Sequence, residues 1–244
     1  GLLPGAFGEL HRVSAPPTLF FTAVSVIADL RRALTLDWKA PGDLIYLVGE
    51  TRPELGGSEF YEMLGYVGLS VPQVRPQEFL PYYRLLEQAI REELLASCHG
   101  VYRGGLGVSL ALAGMAAGLG IEVDLSAVAP ESPAYAALYS ESAGRFLLSV
   151  DPGHRDRFEE MFKGRPVTLL GRVREDRVFK VNRAGHPLME TSLKALLAAW
   201  QRGAKFDAWN DQHHYETWMA AFAEHGLDPA FYTYRQRRTD EVFP

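Results

Sequence analysis

Three short segments bring together residue types that handle anions and protons. Gly56-Gly57-Ser58-Glu59 sits between an apolar run and a helix-forming stretch. Glycines at such a junction let backbone N–H groups approach an anion, and the positive end of the following helix adds potential. Ser58 offers a hydroxyl to a ligand, or an N-cap to the helix. The second segment, His99-Gly100-Val101-Tyr102-Arg103-Gly104-Gly105-Leu106, repeats the plan: a short strand, a glycine pair, an Ala-rich helix. Gly104 and Gly105 can seat a phosphate with Arg103 as its charge partner, and His99 is a candidate acid–base group. Each segment also has a plainer reading: a tight capped turn for the first, and a hydrogen-bonded histidine beside a close-packed helix start for the second. The third segment, Tyr139-Ser140-Glu141-Ser142-Ala143-Gly144-Arg145, precedes a strand. Its serines suit the satisfaction of turn backbone groups, and Glu141 with Arg145 suits an ion pair.

Other chemistries find less support. His213, His214, Glu216 and His225 lack the HExxH spacing of a zinc helix and read as a solvated helix face, so no metal ligands and no catalytic residue are assigned. No GxxxxGK[ST] loop, GxGxxG fingerprint or GxSxG elbow occurs. The net charge of −5 gives no basic surplus for a nucleic-acid backbone. The single cysteine, Cys98, cannot form an internal disulfide and fits a reducing, cytoplasmic setting. The apolar stretch Leu19–Ile27 is too short to span a bilayer, and no signal peptide is evident.

The elements that must position these segments follow from periodicity. Gly1–Ala15 reads as loop and Thr18–Ile27 as a strand. Leu44–Val48 is a continuous apolar run, as in a strand covered on both faces. Glu59–Leu64 and Phe79–Leu95 read as helices, Ser97–Val101 as a short strand, and Leu106–Ala117 as a buried helix. Ile121–Leu125 and Gly144–Val150 read as strands, with a helix at Gly153–Phe162. Val167–Val173 and Arg177–Val181 read as a strand pair, followed by helices at Thr191–Gln201 and Tyr215–His225. This alternation predicts an α/β (α+β) fold, a mixed sheet covered by helices.

Taken in order, the segments resemble one family. Ser14-Ala15-Pro16-Pro17-Thr18-Leu19 is similar to its "I/APPTL" strand entry. Pro41–Gly49 followed by Glu54–Glu59 is similar to its "PGDxIYLLG…ELGGSE" segment. Cys98–Leu106 resembles its "HDVSxGGL" turn, and Tyr139–Phe146 its "FSES…RF" strand entry. The family is the synthetase subunit or domain of phosphoribosylformylglycinamidine synthase, related to aminoimidazole ribonucleotide synthetase. The resemblance implies residues 1–40 as the tail of an N-terminal-type synthetase domain and 41–202 as a C-terminal-type domain. It implies an ATP- and Mg²⁺-dependent ligase that works with a glutaminase partner. The substrate or nucleotide candidates are then Gly56, Gly57, Ser58, His99, Arg103, Gly104 and Gly105.

Departures from the pattern carry their own expectation. The family's main catalytic histidine, Mg²⁺-binding carboxylates and ATP lysine belong to a first half that these residues do not contain. In the "HDVSxGGL" turn this chain has Gly100 for the acid, Tyr102 for the serine, and Arg103 beside the glycines. Losing that acid removes a Mg²⁺ or nucleotide contact, so the segment is expected to be inactive alone, with no cofactor assigned to it. The alternative is a non-catalytic binding or scaffold domain of the same fold. The start at Gly1 rather than Met predicts a piece of a longer protein, with the remainder of the synthetase as partner. Residues 203–244 faintly resemble a segment of B12-binding radical S-adenosylmethionine proteins. They carry no CxxxCxxC motif, so no iron–sulfur cofactor is expected.

Overall fold

A computed structural model describes residues 2–4, 10–12, 21–27, 29 and 32–203. The Tyr215–His225 helix, the histidines proposed to lie on it and the 203–244 tail therefore fall almost wholly outside the described residues. The chain divides into two compact units, Gly1–Ala33 and Leu34–Pro244.

The first unit departs from expectation. Leu2–Pro4 (β1) and Leu10–Arg12 (β2) pair antiparallel where a loop was read. The expected strand over Thr18–Ile27 does not form in its described part: residues 21–27 are without regular structure and exposed. β-Branched composition favours a strand only where a neighbouring strand and a packed face exist to use it.

The second unit is built on a seven-stranded mixed sheet. Its strands are Leu44–Val48 (β3), Ser97–Gly100 (β4), Gly120–Asp124 (β5), Phe146–Val150 (β6), Val167–Arg174 (β7), Val178–Arg183 (β8) and His186–Ser192 (β9). Its helices are Glu59–Met63 (α1), Pro76–Arg91 (α2), Gly105–Ala117 (α3), Ala134–Tyr139 (α4), Arg155–Met161 (α5) and Leu193–Gly203 (α6). The strand order is β4-β6-β3-β7-β5-β8-β9. All neighbours run antiparallel except β5 and β8, which are parallel. The expected pairing of β7 with β8 is therefore corrected: β5 lies between them, bonded to β7 on one side and β8 on the other.

The apolar run of β3 behaves as a doubly covered strand should. Ile45 and Leu47 point into a core shared with Leu106 and Leu110 of α3, Ala137 of α4 and Leu193 of α6. Tyr46 and Val48 point into a second core with Tyr82 and Leu86 of α2 and Phe158 of α5. Helices thus cover both faces of the sheet around β3 and β6. Each fully buried Leu or Phe on these faces contributes about 1.5–3 kcal/mol. Cover is lost farther out, and the strand pattern changes with it. On β5 Ile121 and Val123 are buried, while Glu122 faces outward to Arg174 at 3.1 Å and Lys180 at 3.4 Å.

Candidate functional site

The three segments singled out by composition meet at the same ends of β3, β4 and β6. The loop after β3 leaves the sheet at Gly49, where a side chain would lie 2.6 Å from the Gly144 carbonyl. It then runs past the Ser140–Ser142 segment. Ser142 Oγ accepts from the Arg52 N–H at 3.0 Å, and the Ser140 and Ser142 hydroxyls lie 3.0 Å apart. The serines do serve the loop backbone, as their type suggested.

Ser58 takes the capping role. It is buried, its Oγ accepts from the Tyr61 N–H at 3.3 Å and donates to the Leu55 carbonyl at 2.7 Å. The other N–H groups of that turn also have partners: Gly56 to the Ser70 carbonyl and Gly57 to the Val67 carbonyl, both at 2.7 Å. Gly56 is glycine because a side chain there would lie 2.8 Å from the Ser70 backbone.

The second segment is closed in a similar way. Gly105 begins α3 at φ +70, and a side chain there would lie 2.6 Å from the Ser140 carbonyl. Its own N–H donates to the Tyr102 carbonyl at 3.0 Å. Gly104 caps α3 in the left-handed conformation. Arg103 is exposed and pairs with Glu59, so it joins the second segment to the first.

Glu141 has partners other than the Arg145 its sequence neighbourhood suggested. One carboxylate oxygen accepts from the Glu59 N–H at 3.0 Å and from the Gly104 N–H at 2.8 Å. The anion held between the two glycine turns is thus a side chain of the third segment. The expected Glu141–Arg145 ion pair does not form. Arg145 is buried and donates to the Ser142 carbonyl at 3.0 Å, the Thr51 hydroxyl at 2.9 Å and the Ser140 carbonyl. Burial lowers its pKa to about 10, opposed by the nearby charges of Glu54 and Glu141. Glu54 is also buried; its Oε1 accepts from Arg75 at 3.0 Å, and its Oε2 has no hydrogen-bond partner among the described residues.

His99 lies on the edge strand β4, half-buried, and burial holds its pKa below the ordinary histidine value. Its ring meets Tyr102 edge-on at 5.8 Å. Tyr102 also explains Gly100: a side chain at 100 would lie 2.2 Å from the Tyr102 ring carbon and hydroxyl. The phenol covers the room where the family pattern carries its acid. Among the described residues no cluster of three or more His, Cys, Asp or Glu is placed to hold a metal. Neither is any helix among them long and apolar enough to cross a membrane.

Comparison with known proteins follows the same residues. Positions 40–183 match the domain described as "AIR synthase related protein, C-terminal domain". The phosphoribosylformylglycinamidine synthase subunit PurL of Thermobifida fusca (strain YX) is 35% identical over 190 residues, covering 76% of this chain and 24% of that protein. Among solved structures, T. maritima PurL complexed with FGAR aligns with a TM-score of 0.61 at 20% identity, covering 68% of this chain and 30% of the other. T. maritima PurL complexed with ATP aligns at 0.53 and 20% identity, covering 68% and 27%. The chain thus spans about a quarter of the curated relative's length, and the structural likeness agrees with the α/β fold, a mixed sheet under helices.

Proposed function

The chain belongs to the AIR synthase related proteins through their C-terminal domain, and on that premise we propose that it is part of a phosphoribosylformylglycinamidine synthase. The carrying observation is the 35% identity over 190 residues to a synthase subunit. The whole enzyme is an ATP-dependent C–N ligase of de novo purine biosynthesis. ATP activates the amide oxygen of formylglycinamide ribonucleotide, and ammonia released from glutamine replaces it. The products are formylglycinamidine ribonucleotide, ADP and phosphate. Residues 41–202 supply a C-terminal-type domain, residues 1–40 the tail of an N-terminal-type domain, and 203–244 a tail beyond it. The rest of the synthetase and a glutaminase are its partners, in the cytoplasm.

The residues present do not fit ATP and Mg²⁺. Glu141 occupies the N–H groups of Glu59 and Gly104 that a phosphate would need. Tyr102 fills the space above Gly100. No step of the reaction is therefore assigned to Gly56, Gly57, Ser58, His99, Arg103, Gly104 or Gly105. Their place is in the framework, where they hold three loops together for a catalytic half carried elsewhere. This observation also favours the second reading, a binding or scaffold domain of the same fold.

The test is an amidine-formation assay with formylglycinamide ribonucleotide, ATP, Mg²⁺ and ammonia. The isolated chain is expected to give no product. Adding the T. fusca relative with its matching quarter removed is expected to give product. Turnover by the isolated chain would sink the framework role, whereas silence in both mixtures would favour the scaffold reading.

A further inference from the structure

A cavity of about 550 Å³ lies beside α1, lined by Phe60, Tyr61, Leu64, Tyr66, Val67 and Tyr135 with Gly68. Rings form its back wall. Phe60 lies 6° from parallel to Tyr139, with ring centres 4.9 Å apart, and 12° from parallel to Tyr135, with centres 5.7 Å apart. Tyr61 and Tyr66 meet edge-on at 6.1 Å on the other side.

The chain holds these rings in place. The Gly57 N–H donates to the Val67 carbonyl at 2.7 Å, and the Tyr66 N–H to the Tyr61 carbonyl at 2.8 Å. Gly68 has φ +74, and a side chain there would strike the Tyr61 ring at 2.6 Å. Only glycine lets that ring lie on bare backbone.

The lining chemistry narrows the ligand. Tyr135 is 44% exposed and Tyr66 65% exposed, so ring surface is open to a visitor. Among the described residues the tyrosine hydroxyls of Tyr46 and Tyr82 are engaged in hydrogen bonds. Those of Tyr61, Tyr66 and Tyr135 are not, and they can donate or accept at the edge of a ring. No charged side chain lines the cavity. An aliphatic chain would use neither the parallel ring planes nor the hydroxyls. The volume lies within the range of small-molecule sites.

We propose that this cavity binds an uncharged planar aromatic heterocycle, which extends the Phe60–Tyr135 stack, with adenosine as the probe. The proposal is independent of the ligase reading. The full chain is titrated with adenosine, followed by saturation-transfer NMR and calorimetry, with decanoate as the aliphatic competitor. Saturable one-site binding is expected. Tyr135→Phe keeps the ring and stays within about threefold of the parent, while Tyr135→Leu weakens binding about tenfold or more, the scale of one lost stacking contact. Tyr83→Ala, on an exposed aromatic of α2, leaves binding unchanged. Absence of saturation, equal affinity of Tyr135→Leu and parent, or displacement by decanoate overturns the proposal. So does self-association of the chain through this face, seen as a dimer that Val67→Lys converts to monomer.

Discussion

Removing the Glu141 carboxylate should loosen the junction of the three loops by a measurable amount. The group accepts N–H bonds from Glu59 at 3.0 Å and Gly104 at 2.8 Å, from turns far apart in the chain. Hydrogen bonds to a charged group each contribute about 1.5–3 kcal/mol when buried. This carboxylate is only partly buried, and water can reach what a mutation leaves. Glu141→Ala is therefore expected to cost about 2–4 kcal/mol, out of a typical total of about 5–15 kcal/mol. Glu141→Gln keeps an acceptor oxygen and loses only the charge facing the two N–H groups, for about 1 kcal/mol. Urea unfolding followed by far-UV circular dichroism resolves the difference, with the slope unchanged if the denatured state is unaffected. In melting temperature the alanine variant falls by about 4–16 °C. An alanine variant within about 0.5 kcal/mol of the parent would refute the clamp, because surface changes away from such features are that small. Equal losses for alanine and glutamine would show that charge rather than geometry does the holding.

Three further outcomes follow from the same region. Gly105→Ala places a methyl 2.6 Å from the Ser140 carbonyl at φ +70 and should cost about 2–4 kcal/mol in urea melts, whereas Gly57→Ala, also at φ +70 but with open space around it, should cost about 1 kcal/mol. Gly100→Ala should destabilise by about 1 kcal/mol with Tyr102 in place and by less than about 0.5 kcal/mol in a Tyr102→Ser background, a coupling that a double-mutant cycle detects. Burial lowers the folded-state pKa of His99, so the unfolded chain binds the proton more readily and stability falls as pH drops below the ordinary histidine value of about 6.5. His99→Gln should flatten that slope between about pH 6.5 and 5 in denaturant titrations, above the range where carboxylates dominate.

Local patterns revealed much of the fold. The apolar run of β3 announced a strand covered twice, because successive side chains must face opposite helical layers. The alternation of apolar with acidic residues over Ile121–Leu125 marked β5 as a strand, and the structure shows why: Glu122 faces outward to Arg174 and Lys180 while its apolar neighbours are buried. Pairing was less visible: β7 and β8 are close in sequence, yet β5 separates them, and no local pattern encodes an inserted neighbour. Strand β9 escaped because its hairpin turns at Ala184-Gly185, both at positive φ, where an Asn or Asp in place of alanine would have signalled the turn. The three site segments were recognisable from their glycines and serines. Their joining by Glu141 was not, since its partners lie 82 and 37 residues away. A glutamate between two serines carries no mark of where it will reach.

The strand order has a consequence in time. β3 is made well before both of its neighbours, β6 and β7, which come much later in the chain. At about 5–20 residues per second of synthesis, β3 waits on the order of ten seconds before β7 emerges. Until β6 emerges, an apolar strand with two open edges has neither of its sheet neighbours to pair with, which is the circumstance in which nascent chains find one another. Assembly of this sheet is thus dominated by distant contacts and is expected to be slow. Its yield in a cell depends on how well the half-made chain is shielded until the strand after Arg165 arrives.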